Sequence, residues 1–137
     1  MSSSFKLKKD YNFNVPSWDS ILYNYNQALI TGRPIKHTCP GFFVSPDAHE
    51  IDKVKPVMQD LKCKVAHLYF NVCIGPTFGR HVDDVEVYFW QCHGIIHWII
   101  ENERIILSPG DLLIIKKGIY HEVIPQTPRA GISMSKS

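Results

Sequence analysis

The chain lacks the features that would place it in a membrane, outside the cell or on nucleic acid. No apolar run approaches the roughly 20 residues that a membrane-spanning helix needs. Residues 1–10 are polar and basic without an apolar core, so no secretory signal is expected. The charge is nearly balanced, with 15 Lys and Arg against 13 Asp and Glu, which gives no electrostatic footprint for nucleic acid. We expect a cytoplasmic protein without a membrane or nucleic-acid partner.

Cysteine occurs four times but never at the spacing of a metal or redox motif. The residues are Cys39, Cys63, Cys73 and Cys92, and no two of them form a C-x-x-C pair. A zinc knuckle or a thioredoxin-type motif is therefore not indicated. Cys73 and Cys92 stand in apolar strand patterns, so we expect them to be reduced thiols that serve as small core residues.

Length and composition fit one domain. The chain has 137 residues, of which 45% are hydrophobic and 20% charged, and a domain of this size buries a core without disulfides. We expect residues 1–14 to form a flexible N-terminal arm or an edge strand, and residues 15–137 to form the domain. The sequence ends directly after the last predicted strand, so we expect no appended dimerisation or winged-helix domain. The oligomeric state is not predicted.

Two helices are predicted in the first half of the chain. Ser17 precedes a run of apolar residues at helical spacing, namely Trp18, Ile21, Leu22, Tyr25 and Leu29. Asp47 and Glu50 match a capping box for a second helix. Pro56 should kink that helix or divide it in two, because proline lacks the backbone N–H of a helix interior.

From Lys64 onward the pattern changes to short β-strands separated by Gly, Pro and Asn turns. The strand candidates are residues 65–73, 85–91, 95–100, 104–107, 112–115, 121–124 and 131–134. Short strands with regular turns predict an all-β sandwich or barrel. In the first candidate, His67, Tyr69 and Asn71 share one face. That face either lines a cavity or meets solvent, and the sequence leaves both open.

The strongest chemical signal is a histidine and a carboxylate two residues apart. His81 and Asp83 would point to the same side of an extended strand. His121 follows a glycine turn at the start of another predicted strand. Two histidines and one carboxylate make a facial triad, which leaves coordination positions open for a co-substrate and dioxygen on non-haem Fe(II). An H-x-D pair alone is a weak signal, and the surroundings of His121 are what strengthen it.

The region 64–135 resembles the cupin superfamily, and more closely the JmjC-like ribosomal oxygenases among the 2-oxoglutarate-dependent dioxygenases. The residues that carry the resemblance are His81, Asp83, Glu86 and Val87, then Gln91, Gly94 and Trp98, then Leu107, Pro109, Gly110, Asp111, Leu113, Gly118 and His121. The resemblance implies a double-stranded β-helix, a cupin or jelly-roll barrel, with the N-terminal helices packed outside. It also implies Fe(II) held by His81, Asp83 and His121, with 2-oxoglutarate as co-substrate.

A co-substrate with two carboxylates needs a cation for its distal end, best supplied by arginine. The position where the ribosomal oxygenases carry that cation corresponds to Ile96, which cannot serve. The end of the chain resembles the prolyl-hydroxylase type of barrel, and this resemblance implies that Arg129 takes the distal carboxylate. Ser133, Tyr69 and Asn71 are the further co-substrate contacts that we expect. The alternative for Arg129 is a loop cap after Pro128.

The resemblance implies an oxygenase that hydroxylates an unidentified substrate, with a protein side chain as the default class. A small metabolite or a modified nucleotide is the alternative substrate. Two rival functions stay open. One is a metal- or ligand-binding cupin without oxygenase activity, and the other is a structural or interaction protein on a degenerate barrel. The direction of Arg129 relative to the metal distinguishes the first rival, and metal binding distinguishes the second.

Overall fold

Ten strands and two α-helices make up the described part of the chain, residues 4–137 of a computed structural model, the side chain of Thr38 excepted. The helices are α1 (Trp18–Ile30) and α2 (Lys55–Leu61), with a 3-10 turn at Ala48–Glu50. The strands are β1 (Phe5–Lys8), β2 (Lys36–Cys39), β3 (Phe42–Ser45), β4 (Val65–Asn71), β5 (Val87–His93), β6 (Ile96–Ile100), β7 (Glu103–Leu107), β8 (Leu112–Ile115), β9 (His121–Pro125) and β10 (Arg129–Ser135).

The strands form two antiparallel sheets. The larger has the order β1-β8-β5-β10-β4-β3-β2, and the smaller has the order β7-β6-β9. Several neighbours in the sheets are far apart in sequence, as in the pairings of β5 with β10 and of β6 with β9. The prediction of a mainly β barrel with helices outside is confirmed, and each strand candidate after residue 64 coincides with a strand to within a few residues.

Alternating side chains of the large sheet pack into two separate apolar clusters, because successive residues of a strand point to opposite faces. On β5, Trp90 packs in a cluster with Ile21 of α1 and Val57 of α2, outside the barrel. Phe89 packs with Trp98 of the smaller sheet, between the two sheets. The helices thus cover the outer face of the large sheet and leave the barrel interior to the two sheets.

Helix α1 begins as predicted. Ser17 is the N-cap in an extended conformation, and its Oγ accepts a hydrogen bond from the backbone N–H of Ser20 at 3.1 Å. This contact satisfies one of the free N–H groups of the first turn.

The prediction of a capping box at Asp47 and Glu50 is wrong. Asp47 has a left-handed conformation with φ of 62° and makes no side-chain capping bond. Its carboxylate instead accepts a hydrogen bond from Arg33 at 2.9 Å, and Glu50 accepts one from the same guanidinium nitrogen at 2.8 Å. The segment divides into the 3-10 turn and α2, with Pro56 in the first turn of α2, where the missing N–H costs nothing.

The N-terminal segment supplies an edge strand at Phe5–Lys8, which is one of the two predicted alternatives for this segment. Strand β1 pairs with β8 along its whole length. The buried Asp111 carboxylate fixes the chain directly after β1. It forms an ion pair with Lys9 and accepts a hydrogen bond from the Asp10 N–H at 3.3 Å. Asp111 also accepts a hydrogen bond from the Ser108 N–H at 2.9 Å, which stabilises the turn before β8. Residues 1–3 of the predicted arm lie outside the described residues.

The four cysteines are free thiols. Cys92 is a buried core residue as predicted, but Cys73 is exposed. The prediction fails for Cys73 because β4 ends at Asn71, two residues before it. Within residues 4–137, neither helix is long and apolar enough to span a bilayer.

Candidate metal centre and co-substrate pocket

His81, Asp83 and His121 meet at one point between the sheets. His81 and His121 form an antiparallel bridge, in which each backbone N–H donates to the other residue's carbonyl at 2.9 Å. The N–H of Gly118, in the turn before β9, donates to the Asp83 carbonyl at 2.9 Å. These backbone contacts bring the three side chains together, and their candidate ligand atoms all lie within 4.8 Å of one another.

The two imidazole rings are oriented for metal binding. Nδ1 of His81 lies 2.8 Å from the Gly79 carbonyl oxygen, and Nδ1 of His121 lies 3.0 Å from the Ile119 carbonyl oxygen. A carbonyl oxygen only accepts, so both Nδ1 atoms carry a proton and donate it. Each Nε2 is then free to present its lone pair to a metal, in the manner of second-shell contacts at known metal sites.

Asp83 completes the set as an ionised ligand. Its Oδ2 lies 3.1 Å from Nε2 of His121, so without a metal this contact needs a proton on Nε2, and a bound metal cation would take the place of that proton. The hydrogen bond with His121 lowers the pKa of Asp83 below its ordinary value, and burial opposes this shift. Two neutral imidazoles and one carboxylate fit a divalent transition metal, and this donor set with open positions is typical of non-haem Fe(II).

A cavity of about 300 Å³ opens next to the three ligands. Its apolar wall comes from both sheets and from the loop before β5, with Phe42, Phe78, Phe89 and Trp98 as the large members. The wall is tightly fitted at Gly131, because a Cβ atom there would lie 2.2 Å from Cζ of Phe89. The volume is at the lower end of the range for small-molecule sites, which is roughly 300–1,000 Å³.

Arg129 reaches the same cavity from the first position of β10. It is 1% exposed, and its Nε donates to Oδ1 of Asn71 at 2.6 Å. Its guanidinium carbon lies 5.4 Å from the centre of the Phe42 ring. Burial lowers the pKa of Arg129 to about 9, which still leaves a cation at neutral pH. Among residues 4–137, Arg129 forms no salt bridge with any carboxylate.

The other predicted co-substrate contacts take different places. Tyr69 and Ser133 line the cavity, and so does His67, so the cavity side of β4 is the correct one of the two readings that the sequence left open. Burial raises the pKa of Tyr69, and the charge of Asp83 raises it further, so its hydroxyl keeps its proton. Asn71 is completely buried and contacts Arg129 instead of lining the cavity. Contact of these residues with a co-substrate stays a prediction.

Sequence reasoning missed part of the cavity wall. Phe42 on β3 faces inward because it pairs with Asn71 of β4, and the alternation along β3 carries a weak signal for it. Phe78 and Thr77 lie in the irregular loop between β4 and β5, where no periodicity indicates which side chains turn inward. Ile96, at the position of the family's cation, is a fully buried residue of the interior cluster.

Two solved structures of oxygenases share this architecture. The ribosomal oxygenase YcfD from Escherichia coli superposes with a TM-score of 0.62 at 20% identity, over 68% of this chain and 30% of YcfD. Salicylate 1,2-dioxygenase from Pseudaminobacter salicylatoxidans superposes with a TM-score of 0.61 at 14% identity, over 88% of this chain and 34% of the dioxygenase. The chain shares the fold of these two oxygenases.

The likeness is one of fold. YcfD has also been solved in complex with cobalt and 2-oxoglutarate, and that structure superposes with a TM-score of 0.60 at 20% identity. This chain spans about a third of the length of these oxygenases. No family model matches the sequence, and no curated protein matches it. The predicted resemblance is confirmed at the level of the fold, through the superposition on these oxygenases.

Proposed function

We propose that the protein is an Fe(II)- and 2-oxoglutarate-dependent oxygenase that hydroxylates an unidentified substrate. The observation that carries the proposal is a pairing inside one cavity. Three metal-ligand side chains lie at one part of the wall, and a buried arginine without a carboxylate partner among residues 4–137 lies at another. A ligand with a chelating end and an anionic end matches this arrangement.

The side chains of the metal site already converge in this proposal, with their candidate ligand atoms within 4.8 Å of one another. His81 and His121 present Nε2 because backbone carbonyls hold their Nδ1 protons, and Asp83 stays ionised. When bound, Fe(II) would supply the activation of dioxygen, with 2-oxoglutarate oxidised to succinate and CO2 as one oxygen atom enters a substrate C–H bond.

The protein's other side chains bind and orient the co-substrate. Arg129 would take the distal carboxylate through its outer N–H groups, since Nε is already held by Asn71. The Tyr69 and Ser133 hydroxyls would donate to carboxylate oxygens from β4 and β10. The aromatic wall with Phe89 and Trp98 excludes water, which strengthens these contacts.

The position of Arg129 favours the oxygenase over a cupin of other chemistry. A guanidinium directed away from the cavity would have left 2-oxoglutarate without an anchor, whereas Arg129 lines the cavity with the ligand set. The preformed ligand set likewise favours a metal-binding protein over a structural barrel. The substrate class, with a protein side chain as our first candidate, and the cytoplasmic location stay predictions.

An anaerobic titration tests the proposal. Metal-free protein is titrated with Fe(II) and then with 2-oxoglutarate, and the visible charge-transfer absorbance is followed. We expect a band only when both are present. Arg129→Ala should remove the band at co-substrate concentrations that saturate the wild type, because the distal carboxylate loses its cation. Arg104→Ala, which removes an exposed arginine of β7, is the matched control and should keep the band.

Other outcomes contradict the proposal in distinguishable ways. Fe(II) binding without the band would indicate a cupin of different chemistry. Absence of metal binding in the wild type would leave the structural role.

A further inference from the structure

Arg129 and Asn71 form an isolated polar pair inside the barrel. They lie directly opposite each other in the β4–β10 ladder, and Nε of Arg129 donates to Oδ1 of Asn71 at 2.6 Å. Both side chains are buried, with 1% and 0% exposure. The Arg129 guanidinium stands against the Phe42 ring, and both residues line the cavity. The two side chains of the pair are thus largely shielded from bulk water.

The pair has more donors than acceptors. Within the described residues, Nδ2 of Asn71 is buried and has no hydrogen-bond partner. Only Nε of the guanidinium donates to another of these residues, and Arg129 forms no salt bridge among them. Buried charges in proteins are ordinarily paired, since desolvation of an isolated ion is costly. Among the described residues, Arg129 therefore lacks a negatively charged hydrogen-bond acceptor.

We propose that Asn71 is a positioning residue that aims the Arg129 guanidinium into the cavity while leaving its charge uncompensated, so that the site selects ligands with a distal carboxylate. The inference rests on the proposed function and adds to it the residue that keeps the cation available.

The choice of an amide over a carboxylate is the physical basis of this role. Aspartate has the same shape as asparagine and would accept the same bond from Nε of Arg129. It would also form a charge-assisted ion pair with the guanidinium, which is stronger than a neutral hydrogen bond. A ligand carboxylate would then meet a neutralised cation and a second negative charge. The amide orients the arginine without competing for it.

The substitution Asn71→Asp tests the inference. Binding is measured by calorimetry on the Co(II)-loaded protein, with 2-oxoglutarate and with pyruvate, which is a 2-oxo acid that lacks the distal carboxylate. We expect Asn71→Asp to weaken 2-oxoglutarate binding by about 30-fold or more. Pyruvate binding should change less than about threefold, because only the distal carboxylate meets Arg129. Co(II) affinity should stay unchanged, and the Tm of the metal-free variant should not fall.

Asn26→Asp is the matched control. It introduces the same charge at an exposed position of α1, and both ligands should bind it as they bind the wild type. Unchanged 2-oxoglutarate binding in Asn71→Asp would overturn the inference. An equal loss for both ligands with a lower Tm would also overturn it, because Asn71 would then be a purely structural residue.

Failure of the proposed function has a separate signature. The wild type could bind glutarate but no 2-oxoglutarate, with glutarate binding weakened by Asn71→Asp to the extent expected for 2-oxoglutarate. That result would contradict the proposed function and support the role of Asn71. If the wild type binds none of these carboxylates, both proposals fall.

Discussion

At the scale of single residues, the chemistry of the site depends on which nitrogen of each imidazole is free. The backbone carbonyls of Gly79 and Ile119 lie two residues before His81 and His121 respectively, so each histidine is oriented by its own turn. The arrangement is local and repeated, which explains how two segments distant in sequence present equivalent Nε2 atoms. Asp83 joins them as the charged partner, and its contact with His121 lowers the pKa of its carboxyl group.

Asp83→Asn should lower the free energy of unfolding of the metal-free protein at neutral pH and have little effect in acid. The contact with His121 lowers the pKa of Asp83 from an ordinary value of 3.8. A lowered folded-state pKa means that the contribution of Asp83 is complete above the ordinary value and is lost as the pH falls through the lower one. Urea denaturation of both proteins between about pH 6 and about pH 3 measures the difference. A difference that stays constant over this range would show that Asp83 is not coupled to His121.

At the scale of elements, the barrel interior depends on alternation along β10 and its neighbours. Arg129 and Ser133 face the cavity, whereas Ile132 and its outward neighbours pack under the helices. Gly131 is on the cavity side, opposite Tyr69 in the β4–β10 ladder. The ring of Phe89 fills the space where a side chain of residue 131 would stand.

Gly131→Ala should destabilise the protein by about 1–3 kcal/mol through overpacking. The new Cβ would lie 2.2 Å from Phe89, so the ring or the strand must shift. Phe89→Leu provides the control, because a smaller side chain relieves the crowding. We expect the double variant to be more stable than the sum of the two single effects predicts, as measured by urea denaturation. Strict additivity would show that the two residues do not crowd each other.

At the scale of the whole molecule, the metal site joins both sheets and the loop before β5. His121 begins β9 of the smaller sheet, and the segment from His81 to Asp83 leads into β5 of the larger sheet. A metal bound to all three side chains therefore links elements that are held together mainly by the interior apolar cluster. Metal binding to the folded state should raise global stability.

Co(II) at about 100 times its dissociation constant should stabilise the wild type by about 2.7 kcal/mol. Thermal denaturation with and without the metal measures the effect as a rise in Tm of roughly 10 °C. His121→Ala should abolish the rise, because it removes one of the three ligands. His49→Ala, at an exposed histidine, is the control and should keep it. A full rise in His121→Ala would place the metal elsewhere.

The sequence by itself determined the strands after residue 64 and the first helix, and it indicated the three metal-ligand candidates. Periodicity and turn residues are local, so they indicate where β4 to β10 and α1 lie without knowledge of their partners. The H-x-D spacing likewise places His81 and Asp83 on one side before any pairing is known. A local pattern misled at Asp47, where Arg33 competes for the carboxylate, and at Cys73, where β4 ends two residues earlier than the pattern suggests.

Only the tertiary structure decided what surrounds the metal site. The pairing of β4 with β10 sets Asn71 against Arg129, and the pairing of β3 with β4 brings Phe42 beside them. These contacts join residues from distant parts of the chain, and no local pattern encodes which strands become neighbours. Likewise, no pattern in the loop before β5 shows that Phe78 turns inward. The candidate ligands were therefore indicated by the H-x-D spacing together with the family resemblance, whereas the cavity and its uncompensated cation depend on long-range strand pairing.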